Sequence, residues 1–98
     1  MAQHLRIYTM KPGKLDDWVD LFKRGTYKLR TENGFEVQSW TSPATNQFVW
    51  LVSRPGTQEE FEAADKAYYE LPAHKPIHEE ALQYLEKGES WFIDPVEV

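Results

Sequence analysis

Polar and apolar residues alternate at a period of two over residues 4–9 (HLRIYT), and the branched and aromatic members of that run predict a strand. His4, Arg6 and Tyr8 then share one face, and Leu5 and Ile7 the other. After the turn KPGK (residues 11–14), Leu15, Trp18, Val19, Phe22 and Leu29 recur at helical spacing, with Asp16 and Asp17 in the first turn, where carboxylates suit the helix dipole. Asn33-Gly34 turns the chain into a second strand, GFEVQSW, and SPATN leads to a third, QFVWLVS (residues 47–53), which is apolar on both faces. Thr57 and Glu60 have capping-box spacing and open a helix carrying Phe61, Ala64 and Tyr68, which ends near Leu71 before Pro72. Pro76 suits the first position of a further helix, with Glu79 and Glu80 in its first turn, Ala81, Leu82 and Leu85 on its apolar side and Lys87-Gly88 closing it. SWFIDP (residues 90–95) reads as the last strand.

The order βαββαβ, with its second helical region split, predicts an α+β, ferredoxin-like fold: one domain over residues 1–98, a four-stranded antiparallel sheet and helices on one side. The other side is expected to carry large aromatics, because Phe35 and Trp40 lie on opposite faces of the second strand, as do Trp91 and Phe92 in the fourth. Such an open face is an association site, so it is expected to pack on the same face of a second copy, forming a dimeric α/β barrel around a cavity. Burying the Arg6 charge beneath helices without a partner is expensive. His4, Arg6 and Tyr8 are therefore expected to face the inter-subunit cavity, with Leu5 and Ile7 under the helices.

Composition narrows the function classes. The chain contains no apolar run long enough for a signal segment or a membrane span, so a cytoplasmic location without a membrane partner is expected. The absence of cysteine excludes disulfides, thiol catalysis and thiolate metal sites. A net charge of −5, with Lys and Arg nowhere clustered, argues against nucleic acid.

The segment YYELPAHKPIH (residues 68–78) carries the densest chemistry. His74 stands between Pro72 and Pro76, and an imidazole with an ordinary pKa of about 6.5 exchanges a proton near neutrality. Tyr68 could hold a substrate oxygen or orient that ring; the plainer reading is a loop histidine beside a rim tyrosine. His74 and His78 are four apart, the spacing of a metal pair, but a helix beginning at Pro76 would leave His74 outside it, and only Glu79 or Glu80 could supply a third ligand. No metal is therefore expected, although one histidine would suffice for haem. In the first strand, Arg6 could bind a carboxylate, enolate or phenolate with Tyr8 beside it, or pair with a carboxylate of a partner subunit. Trp40, Trp50 and Trp91, on three strands, offer stacking surfaces for a flat molecule, or ordinary packing. Trp18 reads as core, and Asp65, Glu70, Glu86 and Glu89 as solvated helix faces or ends.

LRIYTMKPGKLDDWVDLF resembles the opening strand, turn and helix of the NIPSNAP family, and GFEVQSW and FVWLVSRPG are similar to its next two strands. The resemblance implies a dimeric α/β barrel. Many members carry two such domains in tandem, whereas this chain has one, so the implied barrel is a homodimer. YYELPAH is also similar to a segment of plant polyketide cyclases of the olivetolic-acid type. That likeness implies His74 as catalytic base, Tyr68 as its assistant and His4 facing the same pocket.

Together these readings lead to a homodimeric barrel binding a hydrophobic or aromatic small molecule. Acid/base chemistry through His74 and Tyr68 would then run without a cofactor, by cyclisation, isomerisation or oxygenation, with His4, Arg6, Tyr8, Trp40, Trp50 and Trp91 contacting substrate. The alternatives are a non-catalytic metabolite binder, a dimeric interaction protein and a haem-handling protein.

Overall fold

The structure is a computed structural model describing residues 1–98. Four strands, β1 (Ala2–Met10), β2 (Glu36–Ser42), β3 (Gln47–Arg54) and β4 (Leu85–Ile93), form one antiparallel sheet in the order β2-β3-β1-β4. Between β1 and β2 the chain makes α1 (Leu15–Leu21), a π-helical turn (Phe22–Thr26) and α2 (Tyr27–Glu32). Between β3 and β4 it makes α3 (Gln58–Tyr69) and α4 (His74–Ala81). This is the ferredoxin-like arrangement that the element order predicts.

Local chemistry fixes the helix starts. Thr57 accepts a hydrogen bond from the Glu60 amide at 3.1 Å while Glu60 Oε1 accepts from the Thr57 amide at 3.2 Å, so the expected capping box is formed. Helix α4 begins at His74 rather than at Pro76. Proline is tolerated at its third residue because the first amides of a helix have no intrahelical acceptor. His74 and His78 consequently share one helix, with ring centroids 5.8 Å apart.

The expectation for the last helix and strand also needs correction. Helix α4 stops at Ala81, and β4 begins at Leu85, so Lys87 and Gly88 belong to a strand. Gly88 lies opposite Tyr8, and a Cβ there would come within 3.2 Å of the tyrosine ring. The glycine marks close approach of a side chain to a strand backbone, which the sequence alone cannot tell from a helix end.

The two faces of the sheet are the reverse of those expected from Arg6. Arg6 pairs with Trp50 in register, and both lie beneath the helices, with Met10, Phe48 and Val52 of the same face also buried. Leu5, Ile7, Val49 and Leu51 lie on the opposite, uncovered face, joined there by Trp40 opposite Val49 and Trp91 opposite Leu5. Trp40 and Trp91 are about half exposed, at 53% and 45%. Arg6 is buried because partners offset its desolvation, and they come from distant parts of the chain.

Candidate functional site

The helix-side face of β1 meets α2 and α3 in a polar cluster inside the core. Arg6 donates through Nη2 to both carboxylate oxygens of Asp65, each at 3.1 Å, and through Nη1 to the Tyr69 hydroxyl oxygen at 2.6 Å. Arg30 donates through Nη1 to Asp65 Oδ1 at 2.5 Å and through Nη2 to the same Tyr69 oxygen at 3.1 Å. Arg6 is 4% exposed and Arg30 1%, so two buried guanidinium groups share one carboxylate, that of Asp65, which is itself partly exposed. Charge-assisted pairs of this kind are strong and geometrically demanding.

Aromatic rings complete the setting. The Arg30 guanidinium carbon lies 3.7 Å from the centroid of Tyr68 and 4.7 Å from that of Phe35, and Arg6 lies 5.2 Å from Trp50. Such contacts stabilise a cation where water is excluded. Arg6 Nε also donates to His4 Nδ1 at 3.0 Å, which requires that nitrogen to be unprotonated. Burial, followed by repulsion from Arg6, lowers the His4 pKa in the same direction.

Beside this cluster, between sheet and helices, is a cavity of about 270 Å³ whose walls include Tyr8, Trp18, Arg30, Trp50, Tyr68 and His74. The π-helical turn sits above it and contributes Thr26, while Gly25 in the same turn lets Ile77 of α4 approach closely. His74 meets the cavity with its ring centroid 5.0 Å from Tyr68 and 4.9 Å from Tyr69. Burial, then His78 and Arg30, lowers the His74 pKa below 6.5, so the ring is neutral at pH 7 and able to accept a proton. Burial pushes the Tyr68 phenol up to about 12 and raises that of Tyr8 as well, so both hydroxyls remain protonated.

The structure therefore gathers Tyr8, Trp50, Tyr68 and His74 around one space, with Arg6 and His4 linked through the polar cluster. Trp40 and Trp91 stand on the far side of the sheet. Asp65, read from sequence as a solvated helix residue, is instead the shared acceptor for both arginines, and Trp18, read as core, is also a cavity wall. Arg30 and Tyr69 did not stand out in the sequence. A cation at 30, one helical turn beyond buried Thr26, is the available signal for Arg30, but it is indistinguishable from an exposed helix residue without knowledge of α3.

Fold and site together define a ferredoxin-like α+β protein with an arginine-flanked cavity between its sheet and helices. The solved structures that it resembles include NIPSNAP proteins. An uncharacterised NIPSNAP domain protein from Burkholderia xenovorans superposes with a TM-score of 0.86 at 19% identity, covering 98% of this chain and 95% of the other. A NIPSNAP family protein from Agrobacterium tumefaciens gives 0.85 at 11% identity, with 98% and 93% covered. A protein described as an antibiotic biosynthesis monooxygenase gives 0.74 at 16% identity, with 99% and 100% covered. At these identities the likeness establishes the fold. No protein-family profile matches the chain, and no curated protein matches its sequence.

Proposed function

We propose that this chain is a NIPSNAP-like domain that binds a small aromatic or polyketide-like molecule in the cavity under its helices and acts on it through His74. The observation that carries this reading is the placement of a neutral imidazole, beside two tyrosine rings, on the wall of a partly enclosed aromatic cavity. His74 would take a proton from carbon next to a substrate carbonyl, and the Tyr68 hydroxyl would hold the oxygen on which charge develops. Isomerisation, ring closure or reaction with oxygen could follow from that carbanion, and no step in the proton transfer calls for a cofactor. Similarity to a monooxygenase fold agrees with this class of chemistry without selecting a member of it.

The uncovered face supports the second half of the proposal, a homodimer. Leu5, Ile7, Val49, Leu51, Trp40 and Trp91 form a contiguous apolar surface, suited to the same surface of a second copy. Sheet-to-sheet packing would place the two ligand cavities on the outer, helical sides of a dimer, not between the subunits.

The test is a thermal-shift screen of wild type and His74→Ala against flat phenolic and polyketide-like compounds, with haem among them. Each stabilising compound is then incubated with protein in deuterium oxide. Expected are a raised midpoint for a planar carbonyl compound and exchange of its acidic C–H that disappears in His74→Ala. Binding with equal exchange in both proteins would reduce the reading to a non-catalytic binder.

A further inference from the structure

The start of α4 ahead of Pro76 changes what His74 and His78 can do together. Four residues apart on one helix, they lie on the same face, with ring centroids 5.8 Å apart and ring planes inclined by 32°. A metal ion about 2.0–2.1 Å from one nitrogen of each imidazole stands about 3.2 Å from each ring centroid. One ion therefore spans centroids ~5.2 Å apart at a tetrahedral angle and ~6.4 Å apart in a straight line. The observed separation falls between the two, so small side-chain rotations bring both rings onto one ion.

Nothing in the protein competes for these rings. The side-chain hydrogen bonds beside the cavity join Arg6, Arg30, Asp65, Tyr69 and His4 and leave both imidazoles unused. His74 is half-buried and His78 exposed, so an ion reaches the pair from solvent. Their support is firm. His74 packs edge-on against Tyr68 and Tyr69, Pro76 fixes the backbone between the two histidines, and Ile77 lies close against Gly25 of the π-helical turn.

From this pairing we infer that His74 and His78 chelate one transition-metal dication of the Cu²⁺, Ni²⁺ and Zn²⁺ class, with water in the remaining positions. No third His, Cys, Asp or Glu joins them, so the ion keeps open positions and is held less tightly than in a closed structural site. Imidazole nitrogen selects these metals over Mg²⁺ and Ca²⁺, which take oxygen ligands. Local charge sharpens that choice. Arg30 opposes positive charge at His74 and Asp65 favours it, so attraction by charge alone does not retain a hard cation. The site is independent of the acid/base reading, although a metal on His74 would take the one lone pair that proton transfer needs.

Isothermal titration of the full chain, stripped of metal and free of any affinity tag, with Ni²⁺ at pH 7.5 tests this. The proteins are wild type, His78→Ala, His74→Gln and His4→Ala, each checked for folding by circular dichroism. Wild type is expected to bind one ion per chain, and loss of either ligand to weaken binding at least about tenfold, the gain from joining two weak donors on one scaffold. His4→Ala, which keeps the pair intact, is expected to change affinity less than about twofold. Cu²⁺ is expected to bind more tightly than Ni²⁺ and to show two nitrogen ligands by electron paramagnetic resonance, and Mg²⁺ not to bind. Should His74→Gln not fold, His78→Ala carries the comparison, because that side chain is exposed. Equal affinity in wild type and His78→Ala, or a Cu²⁺ spectrum with a single nitrogen ligand, overturns the inference. A loss in His4→Ala as large as that in His78→Ala would place the ion elsewhere and overturn it too.

Discussion

Arg6 on β1 and Arg30 on α2 donate to the same two acceptors, the carboxylate of Asp65 and the hydroxyl oxygen of Tyr69, both on α3. One carboxylate therefore holds two buried cations together and ties sheet, first helical stretch and third helix into a single polar joint. Its loss affects three elements at once.

Asp65→Asn should be severely destabilising, because it leaves two buried guanidinium groups without an anion. Asp65 is 20% exposed, so the expected loss is at the low end of the range for breaking a buried pair, about 3 kcal/mol. In a chain of this size that is a melting-point decrease of at least about 12 °C. Urea denaturation of Asp65→Asn, Arg6→Met and the double variant checks the mechanism. The double variant should be clearly more stable than the sum of the two single losses implies; simple additivity would mean that the pair does not act as a unit.

The α3 start should respond independently. Thr57→Ala removes the side-chain acceptor for the Glu60 amide and should cost about 1 kcal/mol, whereas Thr57→Ser should cost little. Equal stability of all three proteins in thermal melts would show that the capping box contributes nothing here.

Stability should fall on mild acidification through the histidines. Burial lowers the pKa of His74 and of His4 below 6.5, so as pH falls through that value the unfolded chain takes up protons that the folded chain does not. Their contribution is complete above pH 6.5 and diminishes from there down to the folded-state pKa values. The measurement is the slope of unfolding free energy against pH between 7.5 and 5, which should be shallower in His74→Gln. An unchanged slope in that variant would assign the effect elsewhere.

The uncovered sheet face should govern assembly. Wild type is expected to sediment at about twice the 11.5 kDa chain mass, and Leu51→Asp, at the middle of that face, to sediment as a monomer. A monomeric wild type at micromolar concentration would remove the proposed homodimer while leaving the cavity in place.

Much of this arrangement is legible from local pattern. The alternation in HLRIYT, the doubly apolar QFVWLVS and the Thr57/Glu60 spacing each report short-range physics, and the corresponding strands and cap are present. The orientation of β1 is different in kind. A buried Arg6 appears prohibitive until Asp65 and Tyr69, 59 and 63 residues away, are brought to it by the fold. Gly88 shows the same limit, since its meaning depends on Tyr8 lying across the neighbouring strand. The prolines on either side draw attention to His74 but read as a break between helices, and only a helix that begins ahead of Pro76 sets it beside His78.

The contact between Gly88 and Tyr8 also bears on the depth of the cavity. Both residues line the cavity, and the ring of Tyr8 rests where a Cβ at position 88 would crowd it. A methyl group added there would press the ring inward, raising the floor without altering any donor or charge. Gly88 thus ties the dimensions of the cavity to a single position on an edge strand, apart from the chemistry of its walls.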